Sequence, residues 1–178
     1  MNKIIYYVAS SLDGFISGEN GDISGFTAHG SGVQQYLNDL LQYETVIMGR
    51  KTYEFGYEFG LKPGAPAYPN MNHFIFSKSL VLEDAEDNVQ IISNYNIDEI
   101  FKIKKNSITD VYLCGGGLFA GWLLENEQID ILKLKVNPLI LGKGIKIFGE
   151  SNKSYQLNLI DTAKYEEGLI INSYEIKY

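Results

Sequence analysis

Three short segments of this 178-residue chain combine glycine, hydroxyl and cationic residues in the manner that phosphate binding requires. The first is Met48-Gly49-Arg50-Lys51-Thr52, which follows an apolar run. Gly49 permits a sharp turn and a close backbone approach. Thr52 can hydrogen-bond a phosphate oxygen, and Arg50 can grip one through two parallel bonds. A helix opening here would aim free N–H groups at an anion. The same residues also suit a plain turn with solvated basic side chains. The second segment is Ser77-Lys78-Ser79, two hydroxyls around a cation. It suits a further phosphate, or the N-cap of a short helical turn. The third is Cys114-Gly115-Gly116-Gly117-Leu118-Phe119-Ala120, whose consecutive glycines can expose backbone N–H groups to a pyrophosphate. Gly115, Gly117 and Ala120 also match G-x-G-x-x-A, but Lys133 and Lys135 stand where the matching acidic residue would be needed. A Gly-rich anion turn of another α/β fold fits better than an ordinary Rossmann unit. Together the three segments describe an extended ligand with several phosphates, such as a dinucleotide.

Each segment follows a strand-like run, so the elements position them. Ile4–Ser10 is almost wholly apolar, as a strand buried on both faces should be. Glu44–Met48, His73–Ser77, Val89–Ser93, Asp110–Cys114 and Ile131–Val136 read as further strands. Val33–Tyr43 places Val33, Tyr36, Leu37, Leu40 and Leu41 at helical spacing. Tyr53–Phe59, Asp98–Lys105 and Leu118–Glu127 read as helices, the last carrying Trp122 toward the sheet. Asp13–Gly32 is a long Gly- and Ser-rich loop, a type that usually carries function. Two β-like runs in Tyr155–Tyr178, separated by Glu166-Glu167-Gly168, predict a closing antiparallel hairpin. The expectation is one α/β domain over residues 1–178: three αβα layers around a mostly parallel sheet, with the C-terminal hairpin at one edge. Ligands of such sheets bind at the carboxyl ends of the strands.

Composition narrows the function classes. The chain is 45% hydrophobic and 21% charged, an ordinary globular mix. A formal net charge of -7 argues against general nucleic-acid binding, which needs a positive surface. The lone Cys114 can form no internal disulfide, and two distant histidines, His29 and His73, suggest no structural metal. The N-terminal apolar run is too short for a signal-peptide core or a membrane span, so a cytoplasmic protein is expected.

Val46-Ile47-Met48-Gly49-Arg50-Lys51-Thr52-Tyr53-Glu54 closely resembles the cofactor signature of dihydrofolate reductases, and the Ser-Lys-Ser and triple-glycine elements follow in the order that family uses. Ala9-Ser10-Ser11-Leu12-Asp13-Gly14-Phe15-Ile16 and Asn137-Pro138-Leu139-Ile140-Leu141-Gly142-Lys143-Gly144 resemble the bacterial relatives that share the C-terminal reductase domain of RibD, the bifunctional riboflavin-biosynthesis enzyme. The resemblance implies an NADPH-dependent oxidoreductase, of the 5-amino-6-(5-phosphoribosylamino)uracil reductase type or acting on a related pteridine or pyrimidine. Dihydrofolate reductase proper and a non-catalytic NADPH-binding protein are the alternatives. It implies that Gly49, Arg50, Lys51 and Thr52 hold the adenosine end and pyrophosphate. Ser77, Lys78 and Ser79 would surround the 2′-phosphate. Cys114 would stand beside the nicotinamide as a packing residue, and Gly115, Gly116, Gly117 and Leu118 would cradle the pyrophosphate. Backbone groups of Ala9 and Ile16 would meet the nicotinamide carboxamide, with the loop from Asp13 onward as a mobile lid. Asp13, the one acid of the N-terminal signature, is the candidate for substrate contact or proton delivery, or else simply forms the turn before Gly14. Tyr36 and Tyr53 are candidates to line the substrate cleft, or pack in the core. Relatives of this kind are often homodimers, and the tyrosine-rich hairpin would offer a contact surface. One departure stands out. Dihydrofolate reductases place a carboxylate on the helix before this strand, where this chain has Val33-Gln34-Gln35. Asp39, more than a helical turn later, is expected to point elsewhere.

Overall fold

The computed structural model describes residues 1–178. Its centre is β1 (Ile4–Ser10), whose alternate side chains feed two separate cores. Ile4 and Tyr6 enter one, and Ile5 and Tyr7 the other. This is the two-per-residue alternation of a strand covered on both faces. β1 lies between β6 (Val111–Gly115) and β7 (Ile131–Val136), parallel to both. Outward from β6 come β3 (Thr45–Gly49), β4 (Asn72–Phe76) and β5 (Val89–Ile92), all parallel. On the other side, β10 (Ile170–Lys177) pairs antiparallel with β7, and β9 (Gln156–Lys164) pairs antiparallel with β10. The sheet order is β5-β4-β3-β6-β1-β7-β10-β9.

Helices α3 (Ile97–Asn106) and α4 (Gly117–Glu125) cover one face, where Ile100, Ile103, Phe119, Leu123 and Leu124 join Ile4, Ile47, Val111 and Leu113. α1 (Ser31–Leu40) and α2 (Arg50–Phe55) cover the other, with Leu40 and Tyr53 packed against Val46, Met48, Ile75 and Tyr112. Each such aliphatic side chain, fully buried, contributes about 1.5–3 kcal/mol of transfer free energy. α3 is the best-terminated helix. Asn96 accepts from the Asp98 amide, acids occupy the first turn, and Lys104 and Lys105 the last. Trp122 packs against Phe119, Tyr95 and Phe76.

The layered α/β fold expected from the sequence is present, with its closing hairpin. The segment expected to be a free loop contains β2 (Phe15–Ser17), which pairs with β8 (Ile145–Lys146). Strands of three and two residues are too short to leave a periodic signal. The expected helix over Tyr53–Phe59 begins earlier, at Arg50, and continues from Gly56 only as a 3₁₀ turn.

Candidate active site

The sheet order places the ends of β4, β3, β6 and β1 side by side, which brings the three phosphate-compatible turns together. β3 runs directly into α2, so Thr52 lies in the helix's first turn. Its hydroxyl reaches the triple-glycine turn: a Cβ on Gly116 would come within 2.9 Å of Thr52 Oγ1. Gly115 has φ +133°, a conformation that side-chain-bearing residues rarely adopt. α4 starts at Gly117, with its first intrahelical bond from the Ala120 amide to the Gly116 carbonyl. The amides ahead of it have no partner within the helix. Gly117 has a packing reason as well, since a Cβ there would meet the Lys146 carbonyl oxygen at 2.2 Å. Leu118 is exposed at this helix start.

The first and second turns also join. Arg50 Nη1 donates to Ser79 Oγ at 3.0 Å, while its Nε lies 3.4 Å from Glu54. Lys51, Lys78 and Ser79 are exposed around this corner. Ser77 is buried, and its hydroxyl oxygen accepts from the Ser79 and Leu80 amides at 3.2 and 2.9 Å. The two readings of Ser77-Lys78-Ser79 therefore divide by residue: Ser77 caps the turn, and Lys78 and Ser79 remain available beside Arg50.

Beneath α1, on the same face of the sheet, lies a layer of phenols. Tyr36 and Tyr112 hydroxyls are 2.7 Å apart, and the Tyr68 hydroxyl lies 3.4 Å from Cys114 Sγ. Tyr7 meets the Tyr36 ring edge-on at 4.8 Å between centroids. Burial raises the pKa of Tyr7, Tyr36, Tyr68 and Tyr112 above the ordinary phenol value, so all stay protonated. Burial also pushes the Cys114 thiol up, which suits packing and not nucleophilic attack. The register Tyr7↔Lys133 and Ala9↔Lys135 carries two lysines onto this face. Lys133 Nζ sits 4.6 Å above the Tyr7 ring centroid, and Lys135 Nζ 4.7 Å above that of Tyr36.

Asp39 corrects one expectation. It points into the sheet, not elsewhere, because the end of α1 crosses over β1 and β7. Its carboxylate accepts from Lys133 Nζ at 2.7 Å, Gln35 Nε2 at 2.8 Å and the Tyr7 hydroxyl at 3.0 Å. Burial alone would raise its pKa, but the hydrogen bonds from Lys133 and Gln35 outweigh that and hold it below the usual carboxylate range. It is a neutralised, fully bonded acid, not the open carboxylate of a pterin site.

Asp13 is a second correction. It accepts from the Leu141 and Gly142 amides at 3.1 and 2.7 Å. Together with the Ser11 hydroxyl, which contributes most, these bonds lower its pKa to about 2. An ionised carboxylate has no proton to deliver at neutral pH. Its geometry ties the loop after β1 to the Asn137–Gly144 segment. Thr27 N–H to Asn137 Oδ1 at 2.9 Å and the Lys143–Glu19 ion pair add to the tie, so the segment read as a lid is stitched down. Tyr53 is the third. It is fully buried, donates to the Ala65 carbonyl and accepts from the Gly64 amide, and so lies in the core and not in a cleft. Ala9, next to last in β1, and Ile16, in β2, are half-buried beside the strand ends.

Sequence reasoning missed Tyr68, Tyr112 and the Asp39–Lys133–Tyr7 group. Tyr112 alternates with apolar neighbours like any core residue, and Tyr68 sits in a turn region. Lys133 and Lys135 at i and i+2 look like a solvated strand face until β10 makes β7 an interior strand. Two of the hollows in the surface have volumes of about 330 and 320 Å³. One lies between α1 and Tyr68–Met71, the other below Lys133 at the foot of β1 and β7. Neither is lined by residues of the three phosphate-compatible turns.

The family model of the RibD C-terminal domain matches residues 2–171. The chain belongs to the RibD C-terminal domain family. Two proteins of Bacillus subtilis (strain 168), YyaP and YwjB, are each 27% identical over 94% of this chain, and the match spans 92% and 94% of their own lengths. Among solved structures, a protein from Shewanella sp. PV-4 described as a putative riboflavin biosynthesis protein superposes with a TM-score of 0.80 at 23% identity, over the whole of both chains. A pyrimidine reductase-like protein from Corynebacterium diphtheriae gives 0.72 at 15% identity, covering 99% of this chain and 92% of the other. A diaminohydroxyphosphoribosylaminopyrimidine deaminase/5-amino-6-(5-phosphoribosylamino)uracil reductase from Thermotoga maritima gives 0.71 at 14% identity. This chain covers 57% of that longer one. These structural likenesses establish that the chain has the same layered α/β fold as those proteins.

Proposed function

We propose that this RibD C-terminal-type domain is an NADPH-dependent reductase of a pyrimidine-type substrate such as 5-amino-6-(5-phosphoribosylamino)uracil. The observation that carries the reading is the convergence of the three turns. Thr52 abuts Gly116, and Arg50 bonds Ser79, so one continuous strip could hold a pyrophosphate at one end and a further phosphate at the other. The residues fit the cofactor. Gly115 and Gly116 leave the backbone bare where a side chain would be strained or would strike Thr52, and the Arg50–Ser79–Lys78 corner offers the donors that a 2′-phosphate needs. NADPH would supply a hydride to an electrophilic carbon of the substrate, and the protein supplies orientation and electrostatics. Backbone groups of Ala9 and Ile16 would face the nicotinamide carboxamide. Asp13 would hold the loop that carries Ile16 in place. The protonated phenols beneath α1, not Asp13, would be the donors to a substrate, with the Tyr68 hydroxyl 3.4 Å from Cys114 Sγ in β6.

Dihydrofolate reduction is the weaker reading, because the acid that reaches this face, Asp39, is already paired with Lys133. Two copies of the chain would meet through β9, which is exposed along nearly its whole length and presents Leu157 and Leu159.

The test is a thermal shift with NADPH and NADH, followed by NADPH absorbance loss with the uracil substrate. NADPH is expected to stabilise the protein more than NADH. Arg50→Ala should weaken NADPH binding by about 10- to 100-fold, the loss of one or two charge-assisted bonds, and should narrow the gap to NADH. Equal NADPH affinity in Arg50→Ala would refute the site.

A further inference from the structure

Lys135 is the one charged side chain of the tyrosine face without a partner. It is 7% exposed, yet it makes no ion pair and no hydrogen bond, and its only neighbour of note is the Tyr36 ring. Its position is imposed by the sheet: β7 is an interior strand, and Lys135 is paired with Ala9 on one side and Ile171 on the other. Burying an ammonium without a partner is costly, and desolvation lowers its pKa accordingly. Asp39, the carboxylate bonded within the phenol layer, is held by Lys133 and is not available to it. The ammonium is not sealed in. Three side-chain atoms are buried without a partner, those of Gln128, Ser151 and Glu167, and Lys135 Nζ is not among them. It therefore stands one strand from the carboxyl end of β1, reachable and unsatisfied, among protonated phenols.

The chemistry of that face is one-sided. Tyr36, Tyr68, Tyr112 and Lys135 can all donate, the carboxylate bonded within the phenol layer, Asp39, is spent, and the acid at the start of α1, Glu167, accepts from the Ser31 amide. A 2-amino-4-oxo ring, as in folates, presents an amidine-like edge that needs a free carboxylate. A pyrimidine-2,4-dione presents carbonyl oxygens and a ring that gains negative charge readily. We propose that Lys135 is a specificity-determining substrate residue whose ammonium receives a carbonyl oxygen of a pyrimidinedione ring, and that this contact selects diones over 2-aminopyrimidinones. This rests on the reading of the strand ends as a reductase site, and the experiment separates the two.

The probe is 5,6-diaminouracil, titrated by calorimetry into the protein with and without saturating NADPH, beside 2,4-diaminopyrimidine as the amidine control. Wild type is expected to bind the uracil and to bind the diaminopyrimidine far more weakly. Lys135→Met, which keeps the volume and removes the charge, should lose about tenfold or more of the uracil affinity. Lys135→Arg should retain part of it, and the NADPH thermal shift should be unchanged in both. If Lys135→Met does not fold by circular dichroism, Lys135→Gln serves in its place. Equal uracil affinity in wild type and variant overturns the proposal. So does wild type that binds no uracil, or that prefers the diaminopyrimidine. A protein that binds the uracil through Lys135 but gives no NADPH shift sinks the cofactor reading and leaves the Lys135 contact standing.

Discussion

At the scale of single residues, the tyrosine face is organised by charge neutralisation. Asp39 and Lys133 are both largely buried, and each is acceptable there only because the other is present. Asp39→Asn keeps the shape and leaves Lys133 without its countercharge. A loss of about 1–3 kcal/mol of stability is expected from the orphaned cation, to be read by urea denaturation. An unchanged midpoint would show that solvent reaches this pair more freely than its burial implies. His73 has a different role. It is fully buried, with Nδ1 2.9 Å from the Met71 carbonyl and Nε2 accepting from the Tyr68 amide at 3.1 Å. This pattern describes a neutral imidazole, and burial lowers its pKa below 6.5. The unfolded chain therefore binds a proton that the folded one resists. Stability from this group is complete above about pH 6.5 and is lost as pH falls toward the folded pKa. Denaturation midpoints should drop between pH 7 and pH 5, and His73→Asn should flatten that drop. The carboxylates act lower: Asp13, at about 2, and Asp39 give up their contributions only in stronger acid.

At the scale of elements, the proposed dinucleotide site depends on the contact between α2 and the triple-glycine turn. Gly116→Ala would place a Cβ 2.9 Å from Thr52 Oγ1. Thr52 can rotate away, so the fold should survive at a cost of about 1 kcal/mol, within the range for overpacking. The hydroxyl would then leave the cradle, and the NADPH thermal shift should largely disappear. Gly121→Ala is the contrasting case. Its Cβ would meet the Phe148 carbonyl oxygen at 2.3 Å, one turn of α4 beyond Gly117 and the triple-glycine turn. That change should lower the melting temperature and leave NADPH affinity of the folded protein intact. If both variants lose stability and binding together, the two glycines do not have separate duties.

At the scale of the whole molecule, the sheet has one protected end and one bare one. β5 is a short edge strand of four residues, whereas β9 runs for nine and exposes Leu157 and Leu159 to 45% and 53%. A long apolar edge of this kind invites pairing with another chain. Light scattering should therefore find a dimer at micromolar concentration, and Leu159→Lys should shift it to monomer while the NADPH thermal shift persists. A wild-type monomer would leave β9 without the role proposed for it.

What the sequence by itself determined was local in origin. The apolar run of β1, the helical spacing of α1 and the glycines at strand ends each follow from steric and hydrophobic rules acting over a few residues, and they were enough to define the layers, the closing hairpin and the three turns whose residue types suit a phosphate. What only the tertiary structure decided was which polar groups share a neighbourhood. Asp39 and Lys133 are 94 positions apart, and so the pairing of Asp39, expected to point elsewhere, is visible only once α1 is packed over the sheet. Asp13 reads as a candidate acid until the Leu141 and Gly142 amides, more than a hundred residues away, claim both of its oxygens. Tyr53 reads as a cleft residue until the fold encloses it. Lys135 reads as a solvated strand lysine until β10 closes over the flank of β7 and removes its water. Charge and burial are properties of the assembled environment, and a spacing pattern carries no information about that environment.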